Sequence, residues 1–288
     1  MVNKRRQFTT RINAGVLLPK DYRQSDVKSI FLRPFKVTFR ITFDQTIKSK
    51  KTIFMLLVTF LPVFMTLYYR IAQPEHFIQP PLVLVHIMMF YLLFVSILVA
   101  LFYGNAMIGD EVDNRTIIYY FTRPIPKYTI IIGKFVAYIA SVFLIIIPPM
   151  LISFLIIASD KEMSRDFAIT VDTFARQLGV ILLGLIVYGS IFMFFGTSLK
   201  HPIISGLLLA FGWEKIMLIV PGLIRKFSVS HYLISAFPID PSMRTALDDV
   251  SKGTTSSPTA SIITIIIITI VFLGLSIYTI YNKEYKFD

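Results

Sequence analysis

The chain has 288 residues, of which 55% are hydrophobic, only 16% are charged and 26 are phenylalanine. This composition excludes an ordinary soluble domain and predicts an integral membrane protein. The formal net charge is +12, but many of the cations precede the first apolar run, where topology and anionic lipid explain them better than nucleic-acid binding.

Residues 1–51 form a polar region in which Lys and Arg far outnumber Asp. Because cations flanking a first span stay in the cytoplasm, we expect a cytoplasmic N-terminus. The first apolar run begins only after this region, so we expect no cleavable signal peptide and assign the insertion signal to the first span.

Within this region, residues 27–47 fit two periodicities. Apolar residues alternate with polar ones through Phe35, Val37, Phe39 and Ile41, as in a strand, yet phenylalanines also recur every fourth residue, as on a helix. A lone strand at a membrane surface would leave its edges unpaired, whereas a helix closes its own hydrogen bonds and can place the phenylalanines among the lipid headgroups. We therefore favour an amphipathic interfacial helix that contacts lipid. A solvated basic face without a partner is the alternative.

Residues 52–281 contain six apolar runs, each long enough to cross a hydrocarbon layer of about 30 Å as a helix. The runs are Ile53–Tyr69, Leu82–Tyr103, Thr129–Ala158, Phe174–Leu199, Ile203–Leu223 and Ser261–Tyr281. They predict an all-α polytopic fold with six transmembrane helices. The fifth run is the one that a charged pair, Glu214-Lys215, interrupts near its middle.

With six spans and a cytoplasmic N-terminus, the chain is predicted to be a multi-pass protein of the cell membrane whose C-terminal tail, residues 282–288, is also cytoplasmic. The predicted cytoplasmic connections are residues 104–128 and the turn 200–202, and the external ones are residues 70–81, 159–172 and 224–260.

The connection at residues 104–128 is short and charged, and it holds most of the candidate site residues. In chain order, they are Asp110, Glu111, Asp113, Arg115, Thr116, Arg123 and Lys127, followed by Gly133-Lys134 at the start of the third run. The three carboxylates can pair with cations of a partner or, near a helix start, favour the positive end of the macrodipole. Arg123 and Lys127 lie beside prolines and fit a helix stop with interface anchors. Lys134 is expected to reach the headgroups as an interface anchor.

This order of residues resembles the coupling segment of type-2 ATP-binding-cassette transporter permeases. In that family, a Glu is followed about four residues later by Gly-Thr, then by a Pro-Ile-Ser-Arg turn and by Gly-Lys at the third span. Here Glu111 and Thr116 match, Arg115 stands in place of the Gly, and Pro126-Lys127 stands in place of Ser-Arg.

The resemblance implies a cytoplasmic coupling helix between spans two and three that docks an ATP-binding-cassette ATPase subunit. It also implies a second permease subunit, identical or different, and alternating access driven by ATP and Mg bound in the ATPase. Many relatives are exporters. Within residues 224–260, the resemblance implies short external or re-entrant helices between spans five and six.

We find no sequence signature of an enzyme or of a cofactor bound by this chain. The chain lacks a P-loop, its four histidines are dispersed, and no nucleophile elbow or metal-ligand spacing is present. It also has no cysteine, which excludes disulfides and thiolate zinc sites. The alternatives to a permease are a polytopic scaffold or channel subunit whose loop docks a non-ATPase partner, and an intramembrane hydrolase assembled across spans.

A few polar residues inside the runs are further candidates. Glu214 is the pathway candidate, because an intramembrane carboxylate is costly unless it is paired or faces a wet cavity. Alternatively, Trp213, Glu214 and Lys215 lie together at the outer interface. Arg176, near the start of the fourth run, is predicted to be an interface anchor. Four glycines of this run are expected to permit close helix packing: Gly179, Gly184, Gly189 and Gly196.

Overall fold

In the computed structural model, the described residues are 20–72, 80–113, 127–159, 167–220, 223–239 and 256–282. Their regular structure is entirely helical. The α-helices are Lys20–Lys48, Lys50–Ala72, Pro80–Phe90, Ser96–Asp113, Lys127–Ala158, Phe167–Ser198, Pro202–Leu207, Glu214–Ile219, Val229–Ala236 and Pro258–Asn282. Two π-helical turns, Tyr91–Val95 and Leu208–Trp213, and a 3₁₀ turn, Leu223–Phe227, connect some of them.

Six helical stretches are long and apolar enough to cross a membrane. We call them spans one to six in the order Lys50–Ile71, Pro80–Glu111, Lys127–Ala158, Phe167–Ser198, Pro202–Ile219 and Pro258–Asn282. They confirm the predicted all-α six-span fold, including the fifth span despite its charged pair.

The second span is longer than its hydropathy indicated. The helix runs through Gly104 and ends only at Asp113, because Met107 and Ile108 continue its buried face. Residues 104–113 of the predicted loop therefore extend the span. Residues 114–126, which we call the loop segment, lie outside the described residues.

The first 51 residues contain a helix, Lys20–Lys48. The rings of Phe35, Phe39 and Phe43 stack in succession, with centroids 6.5 Å and 5.9 Å apart. This stacking requires a phenylalanine at every fourth residue of a helix and does not fit the alternation of a strand. The helix packs against span three, where a Cβ built on Gly133 would lie 3.4 Å from the carbonyl oxygen of Phe35. A position in the lipid interface stays a prediction.

Spans two and four pack closely because glycine stands at their contacts. A Cβ built on Gly104 would lie 2.8 Å from Cβ of Phe192, and one built on Gly196 would lie 2.9 Å from the backbone oxygen of Asn105. The predicted packing role is confirmed for Gly184, Gly189 and Gly196, whereas Gly179 has open space around it.

Tyrosine hydroxyls link neighbouring spans through hydrogen bonds. Tyr91 donates to the carbonyl of Thr59 and Tyr138 to the carbonyl of Leu185, both at 2.9 Å. Polar atoms in a hydrocarbon layer must find partners within the protein, so these buried hydroxyls fix the height of span two against span one and of span three against span four.

Candidate functional site

Two charged pairs lie where spans two and three approach the loop segment. Lys134 of span three has a side chain only 3% exposed, and its ammonium forms an ion pair with Glu111 at the end of span two. The same ammonium donates to the carbonyl oxygen of Met107 at 2.7 Å. Burial of an ammonium is costly, and these partners offset that cost.

The second pair lies at the surface beside the first. Lys51, at the start of span one, donates to both carboxylate oxygens of Asp110 at 2.8 Å and 3.1 Å. Both side chains are about half exposed, at 47% and 50%. We call these four residues, Lys51, Asp110, Glu111 and Lys134, the charged cluster.

A small cavity of about 90 Å³ opens between the charged cluster and the N-terminal helix. Thr42 and Thr46 line it on one side, and Tyr103 and Tyr138 on the other. The cluster itself holds two carboxylates and two ammonium groups, so its charges balance. Among the described residues, no group of His, Asp and Glu is arranged to hold a metal ion.

The predicted loop residues have different surroundings in the structure. Asp110 and Glu111 pair with cations of their own chain, and Asp113 ends the helix of span two. Lys127 contacts span six, because its ammonium lies 3.4 Å from the carbonyl oxygen of Ile280 and 5.3 Å from the ring centre of Tyr281. The remaining predicted residues, Arg115, Thr116 and Arg123, lie outside the described residues.

Two residues of the cluster differ from the sequence-based interpretation. Lys134 does not extend toward the headgroups but is buried between spans, because Glu111 and the carbonyl of Met107 lie within its reach. Lys51 belongs to the basic region 1–51, whose cations predict only the orientation of the chain. Its pairing with Asp110 could have been predicted, since two successive antiparallel spans bring the start of span one close to the end of span two.

Glu214 of span five is 2% exposed and accepts an unusually large number of hydrogen bonds. The hydroxyl of Ser228 donates to it at 2.6 Å, that of Ser230 at 2.5 Å and that of Tyr188 at 3.2 Å. The backbone N–H groups of Val229 and Ser230 add two more, at 3.1 Å and 3.0 Å.

These bonds place Glu214 at the N-terminus of the short helix Val229–Ala236. The first N–H groups of a helix lack intrahelical partners, and the positive end of the helix dipole favours an anion there. The carboxylate therefore anchors this helix to spans four and five. Its predicted role in a pathway stays a prediction, while the geometry gives it a structural one.

The short helix runs alongside span four and away from the turn that joins spans four and five. Ser230 contacts Tyr188, Leu233 lies against Gly184, and the carbonyl of Pro238 accepts a hydrogen bond from Gln177 at 3.2 Å. Because the helix begins at the level of Glu214, inside span five, the chain has turned back among the spans. The resemblance predicts short helices between spans five and six, and whether this one re-enters the membrane or lies outside it stays a prediction.

The neighbours of Glu214 have separate partners. Lys215 donates to the carbonyl oxygen of Leu93 in span two at 2.9 Å. The indole N–H of Trp213, whose side chain is 47% exposed, donates to the carbonyl of Phe227 at 3.3 Å. Successive helical residues point about 100° apart, which explains why Glu214 and Lys215 form no direct ion pair with each other.

Arg176 is an exposed residue near the start of span four. It forms a 2.7 Å ion pair with Asp172, one turn earlier, and the two side chains are 69% and 59% exposed. Both residues can face lipid headgroups, and the anchoring role of Arg176 stays a prediction.

Sequence reasoning therefore missed Lys51, Tyr188, Ser228 and Ser230 as partners of the charged site residues. For the last two, the signal is a serine pair just before a short apolar helix, which is a common N-terminal pattern.

The protein-family comparison covers almost all of this architecture. A family model described as ABC-2 family transporter protein matches residues 37–285, which include all six spans and part of the N-terminal helix. No curated protein matches the sequence. Because the family model spans most of the chain, the protein belongs to the ABC-2 transporter family and is a membrane permease of an ATP-binding-cassette transporter.

Proposed function

We propose that the chain is the membrane-spanning subunit of an ATP-driven transporter that forms its translocation pathway as a pair of permeases, identical or different. A separate cytoplasmic ATP-binding-cassette ATPase binds ATP and Mg. The chain itself has no enzymatic activity and binds no cofactor. Both of its termini lie in the cytoplasm.

The observation that supports this function is the way the loop segment is attached. Glu111 precedes it and Lys134 follows it, and the ion pair between them is buried. A displacement of residues 114–126 must therefore move spans two and three together. An ATPase that closes on nucleotide can drive such a rigid-body motion without chemistry in the permease.

Further contacts link the ends of spans two and three to other spans, which would then move with them. Asp110 is paired with Lys51 of span one, and Lys127 contacts the end of span six. Because these contacts occupy Asp110 and Glu111 within the chain, we assign direct docking of the ATPase to the neighbouring residues Asp113, Arg115, Thr116 and Arg123.

Charge reversal at the docking residues tests this assignment. We expect Asp113→Lys combined with Arg123→Glu to reduce retention of the ATPase on affinity-tagged permease about tenfold, because like charges then face each other at the interface. The measurement is co-purification of the permease from membranes with its partner P-loop ATPase.

The matched control is Asp172→Lys, an exposed reversal near the start of span four, far along the helices from the loop segment, which should leave retention unchanged. Full retention of the ATPase by the doubly reversed permease would contradict docking at this segment. Turnover of nucleotide by the purified permease alone would contradict the proposal that a separate ATPase hydrolyses ATP.

Cysteine labelling tests the orientation, because the natural chain has no cysteine. We expect Asn114→Cys and Glu284→Cys to react with a membrane-impermeant maleimide only from the cytoplasmic side, and Arg165→Cys only from outside. External labelling of residue 114 would invert the topology and remove the proposed docking face.

A further inference from the structure

Spans two and five meet through their π-helical turns, Tyr91–Val95 and Leu208–Trp213. The rings of Phe94 and Phe211 pack edge to face with centroids 6.1 Å apart, and Phe90 lies 5.1 Å from Phe94. These rings are not fully buried, and 38% of Phe211 is exposed. Such turns are frequent at functional sites in helices.

One cation, Lys215, lies beside this aromatic surface in the part of the chain that the structure describes. Lys215, one turn after Phe211, donates one hydrogen bond, to the carbonyl oxygen of Leu93 in the π-helical turn of span two. An ammonium group has three donors. Among the described residues, no carboxylate pairs with Lys215, and the adjacent Glu214 is already bonded to serines, Tyr188 and backbone N–H groups.

The charge also lies deep among the spans. Leu93 is thirteen residues after Pro80, so it lies about 20 Å along a span of 32 residues, not far from its midpoint. An intramembrane ammonium without a directly bonded carboxylate is costly and marks a functional site by default. An anion that reaches this depth complements it.

We propose that Lys215 and the rings of Phe90, Phe94 and Phe211 form a binding site for an anionic amphiphile. Lys215 binds the carboxylate or phosphate head, and the aromatic surface contacts the apolar chain. This inference rests on the proposed permease function and adds a ligand class to it.

A second copy of this chain is a poorer occupant. The carboxylates of the described spans are near span ends, as Asp110 and Asp172 are, or buried and bonded, as Glu214 is. None is free at the depth of Lys215. The membrane itself can supply an acidic head attached to an apolar chain.

The single tryptophan of the chain, Trp213, is two residues from Lys215 and provides a local reporter. We would place the purified permease in phosphatidylcholine nanodiscs and measure quenching of Trp213 by a nitroxide-labelled fatty acid at pH 8. Nitroxide-labelled phosphatidylcholine, with the label at the same chain depth, is the zwitterionic reference. We expect saturable quenching by the fatty acid that dodecyl phosphate reverses and dodecyltrimethylammonium does not.

Two substitutions separate charge from hydrogen bonding. Lys215→Gln retains a donor for the carbonyl of Leu93 but removes the charge, and we expect preference for the fatty acid to fall about tenfold while the melting temperature changes little. Lys215→Arg should keep the preference within about twofold. Unchanged preference in Lys215→Gln would overturn the site.

Competition decides between cargo and bilayer lipid even if a variant fails to fold. Equal displacement by dodecyltrimethylammonium would overturn anion binding, and equal displacement by phosphatidylglycerol would assign the site to lipid rather than to cargo. ATPase retention without anionic preference refutes this site alone. Anionic preference without ATPase retention instead refutes the proposed coupling.

Discussion

Replacing Glu214 by alanine is expected to destabilise the protein by about 3–5 kcal/mol, because it removes the acceptor for five buried donors at once. The hydroxyls of Ser228 and Ser230 and two helix N–H groups would lose their partner where water cannot replace it. The short helix Val229–Ala236 should then detach from spans four and five.

Glu214→Gln is the conservative variant. Glutamine retains one acceptor oxygen but presents an NH₂ group to a site that contains donors, so we expect an intermediate loss of about 1–2 kcal/mol. Asp172→Asn is the matched control, because its ion pair with Arg176 is largely exposed and contributes less than about 1 kcal/mol.

Thermal unfolding of the purified protein in detergent measures the stability differences. Hydrogen exchange at the amides of Val229 and Ser230 measures the local effect, which should be faster in Glu214→Ala well below its melting temperature. Unchanged exchange at these two amides would show that the carboxylate does not hold the helix N-terminus.

The number and type of the elements were predictable because the hydrocarbon layer permits little else. A chain that crosses lipid must pair its backbone within each segment, so long apolar runs become helices regardless of their detailed sequence. Hydropathy placed the ends less well. Residues 104–113 continue span two because Met107 and Ile108 are covered by neighbouring helices, which local composition does not indicate.

Pairing partners were much harder to predict than the cost of a buried charge. The cost of burying Glu214 was evident from its position in an apolar run. Its donors Ser228 and Tyr188 are 14 and 26 residues away and reach it only after the short helix and span four pack against span five. Lys134 was interpreted as an interface anchor because lysines near span ends usually extend toward headgroups. The carbonyl of Met107, 27 residues earlier, lies close to it only after spans two and three pack.

The π-helical turns of spans two and five had no sequence signal. A π-helical turn changes the backbone hydrogen bonding, since the N–H of Ser96 bonds to the carbonyl of Tyr91 five residues back. Side chains donate hydrogen bonds to the neighbouring carbonyls. The hydroxyl of Ser96 donates to the carbonyl of Leu92, and the ammonium of Lys215 donates to that of Leu93.

Lys134→Met is expected to destabilise the protein by about 3–5 kcal/mol, because it leaves the carboxylate of Glu111, which is mostly buried, without its cation. Glu111→Gln should cost a similar amount by leaving the buried ammonium of Lys134 without this carboxylate. The double variant, Glu111→Gln with Lys134→Met, should recover much of the loss, since a pair of neutral side chains of similar size removes the unpaired charge.

The adjacent surface pair provides the control for this cycle. Lys51→Met and Asp110→Asn break an ion pair whose side chains are about half exposed, so each should cost less than about 1 kcal/mol. Thermal unfolding at two salt concentrations separates the pairs, because salt screens the exposed pair and barely affects the buried one.

The same double variant also separates the effect of the buried pair on stability from its effect on coupling. If Glu111 and Lys134 transmit displacement of the loop segment to spans two and three, the double variant regains stability yet couples poorly, because an uncharged Gln–Met contact resists sliding less than an ion pair does. Substrate-dependent ATPase activity of the reconstituted complex should then stay low while ATPase retention is normal. Full recovery of both stability and coupling would reduce the pair to a structural element of the fold.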